Sequence, residues 1–206
     1  ASATGRAFVF LGSSATDPVG STSTSTYKVF NSSEANSLLG VSVASAGDID
    51  GDGYSDVIVG AQLQPPNQSG SVFLSRGGAV GIISNLALAG LQVSSDQATA
   101  PLASVATADV NGDGYSDVIA GAPLYDAGQV DEGAALIFLG GANGTSTTPS
   151  ARLESNQSNS SFGEGVASAG DVNGDGYEDV LVGAYRYDAG ETDEGAVFLF
   201  LGSATG

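Results

Sequence analysis

The 206-residue sequence contains no cysteine, histidine, methionine or tryptophan, and only five basic residues: Arg6, Lys28, Arg76, Arg152 and Arg186. Each absence removes a class of chemistry. Without Cys there are no disulfides and no thiolate ligands, which leaves the redox compartment open. Without His as well, the common nucleophile and base pairs are missing, so catalysis would have to run through Ser or Asp. The 23 acidic residues bring the net charge to -18, a balance that repels nucleic acid and anionic membranes and favours cationic partners. No apolar run reaches the roughly 18 residues of a membrane-spanning helix, and no signal peptide is read. The lack of Met is read as the mark of a mature segment or an excised piece.

A hydrophobic content of 41% is enough for a sizeable core. Against that background one pattern stands out. DIDGDGYSD at 48–56 places four carboxylates in nine residues, and it recurs as DVNGDGYSD at 109–117 and DVNGDGYED at 171–179. A second marker keeps the same step: GRAFVFLGS at 5–13, GSVFLSRGG at 70–78, GAALIFLGG at 133–141 and GAVFLFLGS at 195–203. The chain is therefore an internal repeat of about 60 residues.

Each repeat reads as four short strands. A small-residue stretch precedes each acidic loop (GVSVASAG, LASVATA, GVASAG), and an apolar run follows it (DVIVGA, DVIAGA, DVLVGA). The marker supplies a third strand and a weaker segment (TYKVFNS, NLALAGLQV, SARLES) a fourth. No helical period is sustained. The fold class is all-β, and the unit describes a propeller blade of four antiparallel strands, small residues suiting the strand nearest the axis. A β-sandwich or β-solenoid is the alternative, but the unit is long for a solenoid coil.

The acidic loops have the chemistry of a calcium site. Oxygens at positions 1, 3, 5 and 9, a carbonyl at 7 and a Gly at 6 suit a hard cation, and the cage favours Ca²⁺ over Mg²⁺. The candidate ligands are Asp48, Asp50, Asp52, Asp56 and the Tyr54 carbonyl; Asp109, Asn111, Asp113, Asp117 and Tyr115; Asp171, Asn173, Asp175, Asp179 and Tyr177. Gly53, Gly114 and Gly176 are expected to take a left-handed turn. An EF-hand is excluded, because its twelfth position needs a Glu and here holds Val59, Ala120 or Val182 inside a strand. An Asp/Gly turn without metal would explain one such loop; three in register point to three calcium sites, each loop being read as self-contained.

These repeats resemble the FG-GAP family, the blades of the seven-bladed propeller of integrin α subunits and of many secreted bacterial proteins. The naming motifs stand as Phe162-Gly163 and Gly121-Ala122-Pro123, with departures at Leu39-Gly40 and Leu102-Ala103, and at Gly60-Ala61-Gln62 and Gly183-Ala184-Tyr185. The resemblance implies a non-catalytic module for adhesion or for binding a protein or glycan ligand, outside the cell or on its surface, with calcium as a structural ion. Two alternatives stay open: a self-assembling structural unit, and a propeller appended to a secreted enzyme. It also implies ligand contacts on the face opposite the calcium loops. That face takes in 62–70, 125–133 and 187–195 with 31–40, 94–101 and 155–163, and its paired YDAG loops carry Tyr125, Asp126, Asp131, Glu132, Tyr187, Asp188, Glu191, Asp193 and Glu194. A basic partner would suit it; otherwise these are solvated acidic turns.

By strand count, 1–30 is a partial blade, 31–92 a blade with loop 48–56, 93–154 a blade with loop 109–117, and 155–206 a partial blade with loop 171–179. About three and a half blades do not close a ring, so further blades of a longer chain or a second copy are expected at the open edges. Five N-x-S/T sequons, at Asn31, Asn67, Asn143, Asn156 and Asn159, are no more than a Ser- and Thr-rich chain produces by chance.

Overall fold

The computed structural model describes residues 5–10, 27–32, 36–64, 69–79, 81–82, 92–95, 97–98 and 100–206. Residues 85–91 of the fourth-strand segment NLALAGLQV, the tip of the 62–70 loop, parts of 31–40 and 94–101, and the sequon at Asn67 lie outside them.

All regular structure among the described residues is β. A pair, β1 (Arg6–Phe10) and β2 (Tyr27–Asn31), stands first. Then come two four-stranded sheets, β3 (Leu39–Gly47), β4 (Asp56–Gln64), β5 (Ser69–Ser75) and β6 (Gln92–Ser94), and β7 (Ser104–Ala108), β8 (Asp117–Ala122), β9 (Ala134–Phe138) and β10 (Ala151–Leu153). A three-stranded sheet, β11 (Phe162–Gly170), β12 (Asp179–Ala184) and β13 (Ala196–Phe200), ends the chain. Every sheet is antiparallel with strands in sequence order, the blade meander expected from the repeat, and the ring is not closed.

Strand alternation builds the core, because successive side chains point to opposite faces. In β4, Val57, Val59 and Ala61 face the β1–β2 pair, while Ile58 faces the second blade. In β8, Val118, Ala120 and Ala122 turn back to the first blade and Ile119 forward to the third. In β9, Leu136 and Phe138 face backward and Ala135 and Ile137 forward. The FG positions fill this core whatever their identity: Leu39, Leu102 and Phe162 are all buried.

Close packing between blades explains the small residues. The first strands bond to one another: the Val105 amide donates to Ser42 Oγ at 3.1 Å, and Thr107 Oγ1 to the Ser45 carbonyl at 3.1 Å. The glycine at the start of the third strand leaves room wherever another blade follows, since a Cβ at Gly133 (φ 83°) would collide with the backbone of Phe162. Bulges at the ends of β3 and β11, with Gly47 and Gly170 at positive φ, turn the chain into the acidic loops.

Candidate metal centres

The three acidic loops join β3 to β4, β7 to β8 and β11 to β12, all at one end of the blades. The expected left-handed turn is present, with φ of 87°, 88° and 92° at Gly53, Gly114 and Gly176. The loop's fourth position shares it: Gly51, Gly112 and Gly174 have φ of 74°, 70° and 77°. This tight coil wraps backbone amides around the first carboxylate. Asp48 accepts from the amides of Asp52 at 3.0 Å and Gly53 at 2.8 Å; Asp109 from Asp113 and Gly114; Asp171 from Asp175 and Gly176. Asp50, Asn111 and Asn173 accept from the amide of position 5, and Asp52, Asp113 and Asp175 from the amides of Tyr54, Tyr115 and Tyr177.

The ninth position is the buried anchor. Asp56, Asp117 and Asp179 are no more than 1% exposed. Each ties the loop's second residue to the exit of the third strand: Asp117 Oδ2 accepts from the Val110 amide at 2.9 Å and Oδ1 from the Gly140 amide at 2.7 Å. Asp56 does the same with Ile49 and Gly77, and Asp179 with Val172 and Gly202. Burial pushes the Asp117 carboxyl up to about 6 against the pull of those two amides, and Asp113 and Asp109 add like-charge repulsion. Asp56 is raised in the same way, with Asp50 and Asp52 as the like charges. Asp171, fully exposed in the last loop, is instead lowered, chiefly by the Gly176 amide.

One oxygen from each of Asp48, Asp50 and Asp56 lies within 4.8 Å of the others, so this cluster could hold a metal ion. A carboxylate oxygen carries two lone pairs, and the bonds to backbone amides leave acceptor capacity on each. The donor set is all oxygen and the charge is concentrated, which fits a hard cation. In the second and third loops Asn111 and Asn173 replace one carboxylate.

Each loop carries its own set of candidate ligands, but the loops also touch one another, because blades stack edge to edge at this end. The Asp48 carbonyl accepts from the Ser116 amide at 3.3 Å, and the Asp109 carbonyl from the Glu178 amide at 2.9 Å. A Cβ at Gly51 would stand 2.7 Å from the Tyr115 ring, and one at Gly112 3.0 Å from Tyr177. Loops one and two are thus each braced by the loop that follows, through its positions 7 and 8. The recurrence of Tyr and of Gly at the fourth position was the available signal.

At the opposite end the YDAG loops are also braced between blades. Gln97 accepts from and donates to the backbone of Asp126, and Gln157 does the same with Asp188. Two residues read as surface are not: Tyr125 is buried in the core shared with the first blade, and Glu132 is buried where its carbonyl receives the Ser160 hydroxyl and the Phe162 amide of the following segment. Their equivalents Tyr187 and Glu194 are half-buried and exposed, with no further blade behind them. Asp126, Asp188, Glu191 and Asp193 are exposed and Asp131 half-buried.

Comparison with known proteins agrees with this architecture. FG-GAP repeats match residues 39–75, 102–138 and 162–200, each running from the first strand of a blade through its acidic loop to the third. Integrin alpha pat-2 of Caenorhabditis elegans is 35% identical over 182 residues, which is 82% of this chain and 14% of that protein. Integrin alpha-IIb of Mus musculus is 36% identical over 162 residues (72% and 15%), and integrin alpha-V of Gallus gallus 34% over 176 (82% and 16%). The chain spans about one seventh of the length of these relatives. With three matched repeats and this similarity over most of its length, the chain belongs to the FG-GAP repeat family and is a distant homologue of integrin alpha subunits.

Proposed function

We propose that this chain is a calcium-binding β-propeller module of an extracellular or cell-surface protein, binding a protein or glycan ligand without catalysing a reaction. The observation that supports it is the construction of the three loops, each gathering oxygens around a buried carboxylate held by two backbone amides. Calcium would be held by Asp48, Asp50, Asp52, Asp56 and the Tyr54 carbonyl, by Asp109, Asn111, Asp113, Asp117 and that of Tyr115, and by Asp171, Asn173, Asp175, Asp179 and that of Tyr177. Its role is structural: it neutralises carboxylates that otherwise repel one another at the blade edges.

Ligand binding is assigned to the opposite end, where the exposed carboxylates of the YDAG loops favour a basic surface. The open faces are assigned to further blades of the same kind. Val197, Leu199 and Leu201 are 72%, 49% and 57% exposed, whereas the corresponding Ala135 and Ile137 are buried under the following blade. Phe8 and Phe10 are likewise exposed where Phe198 and Phe200 pack against the preceding blade.

Metal counting after equilibrium dialysis against calcium well above the dissociation constant tests the central assignment. The parent chain should carry three calcium ions, and Asp52→Ala, Asp113→Ala and Asp175→Ala should each lose one. A parent chain with no bound calcium would overturn the proposal.

A further inference from the structure

Two departures from the repeat meet in space. By strand register Arg76 follows Ser75 as Leu139 follows Phe138 and Leu201 follows Phe200, so an arginine stands where the other blades have leucine. The first loop also carries Asp50 where the others carry Asn111 and Asn173. Arg76 Nε lies 3.1 Å from Asp50 Oδ2, and the Asp50 side chain is only 7% exposed. Among the described residues the other ion pair, Arg152–Glu154, is remote from the loops. The far end of the guanidinium is also held, since Arg76 Nη2 donates to the Asn143 carbonyl at 3.1 Å, in the turn after β9. One blade on, Leu139 lies against the matching turn beside Gly206. Arg76 therefore follows the packing path of the leucines and adds a charge at its tip.

The charges balance across the repeat. Loop one has four carboxylates at its candidate ligand positions (Asp48, Asp50, Asp52, Asp56) and one guanidinium, net -3; loops two and three have three carboxylates each, also -3. Asp50 can serve both partners, because Oδ1 accepts from the Asp52 amide within the loop while Oδ2 faces Arg76. From this geometry we infer that Arg76 is a resident counter-ion of the first calcium loop, offsetting the carboxylate that the other loops lack and setting that loop's calcium affinity. The inference rests on the calcium reading above. Without metal, the guanidinium relieves repulsion around Asp50; with metal, its positive charge opposes the cation.

Calcium titration by calorimetry on the full chain carrying Asp113→Ala and Asp175→Ala isolates the first loop. Arg76→Leu should tighten calcium there on the order of tenfold, the Coulomb effect of a unit charge a few ångströms from a divalent ion in a water-like medium. Asp50→Asn should weaken it by a similar factor, and the double change should return it to within about threefold of the parent. Unchanged or weaker binding in Arg76→Leu overturns the inference and leaves Arg76 a packing brace. Should the two-alanine background not fold, Arg76→Leu in the intact chain must show a lower melting temperature in chelator and a larger rise on adding calcium. Equal rises overturn the inference just as well. The two failures are distinct: a parent chain that takes up no calcium sinks the calcium reading, whereas three-site binding with a first loop indifferent to Arg76 sinks the counter-ion alone.

Discussion

Asp109 and Glu178 hold each other across the boundary between the second and third blades: the Glu178 amide donates to the Asp109 carbonyl at 2.9 Å, and the Asp109 amide donates to Glu178 Oε2 at 3.1 Å. Ser168 Oγ shares the same carboxylate oxygen at 3.3 Å. One residue at the eighth position of loop three thus fixes both backbone polar groups of the first residue of loop two. The other loops have Ser55 and Ser116 there, and Ser116 makes only the amide half of the contact. Glu178→Ser should therefore cost about 1–2 kcal/mol, the loss of a charge-assisted bond that is partly solvated. Urea midpoints at saturating calcium measure it, and a midpoint equal to the parent's would show that the carboxylate adds nothing to the blade junction.

The direction of that bracing gives an asymmetric prediction for the loops. Loop one is held by Ser116 and Tyr115 of loop two, and loop two by Glu178 and Tyr177 of loop three. Asp113→Ala should remove its own ion and also weaken the first site, and Asp175→Ala should weaken the second. Asp52→Ala should leave the other two sites intact, because no later loop leans on loop one. Site-by-site calcium affinities in the three variants decide this, and equal, purely local losses would mean that the loops bind independently after all.

Chelation tests the weight of the metal in the fold. Extracellular calcium modules have dissociation constants of about 0.1–1 mM, and tenfold excess then adds about 1.4 kcal/mol per site. Three such sites, as proposed, would together contribute about 4 kcal/mol, a large share of ordinary domain stability. EDTA should lower the melting temperature and added calcium should restore it; a melt indifferent to both is incompatible with structural calcium.

Glu132 supplies a pH test away from those loops. Its fully buried carboxyl is raised above its ordinary 4.5, first by burial and then by Glu154, against the pull of the Ala127 and Gln129 amides and of Arg152. A folded-state value above the unfolded one means that the folded chain binds the proton more tightly. Its stabilisation is complete below the unfolded value and lost as pH rises through the folded value. As pH rises above 4.5, in chelator, the parent should thus lose stability relative to Glu132→Gln. Parallel urea midpoints across that range would show that Glu132 titrates alike in both states.

Legibility in the sequence followed the repeat. The acidic loops, the strand meander and the equivalence of Leu39, Leu102 and Phe162 could be read directly, because each is a local pattern repeated at one step. Contacts across blade boundaries could not, since they join residues about 60 positions apart and depend on which blade lies behind. Glu132 and Glu194 occupy the same repeat position, yet one is buried and the other exposed, a difference set by the neighbouring blade rather than by either loop. Arg76 and Asp50 were visible as separate departures from the repeat; only the fold shows that they meet.

The same dependence on neighbours yields a final prediction. Ile137 and Leu199 hold the same place in the third strands of consecutive blades, paired with Ile119 and Leu181, but Ile137 is 3% exposed and Leu199 49%. Ile137→Ala should cost about 2–5 kcal/mol, the range for emptying a packed site, whereas Leu199→Ala should cost about 1 kcal/mol or less, because half its surface already meets water. Once a further repeat is fused onto the third blade, Leu199 acquires the surroundings of Ile137 and its truncation should become the costlier change. If instead Leu199→Ala destabilises the 206-residue chain as much as Ile137→Ala, that face is already covered in solution. Light scattering over a concentration series then asks whether a second copy covers it, a monomer of constant mass pointing to a ring closed within the chain.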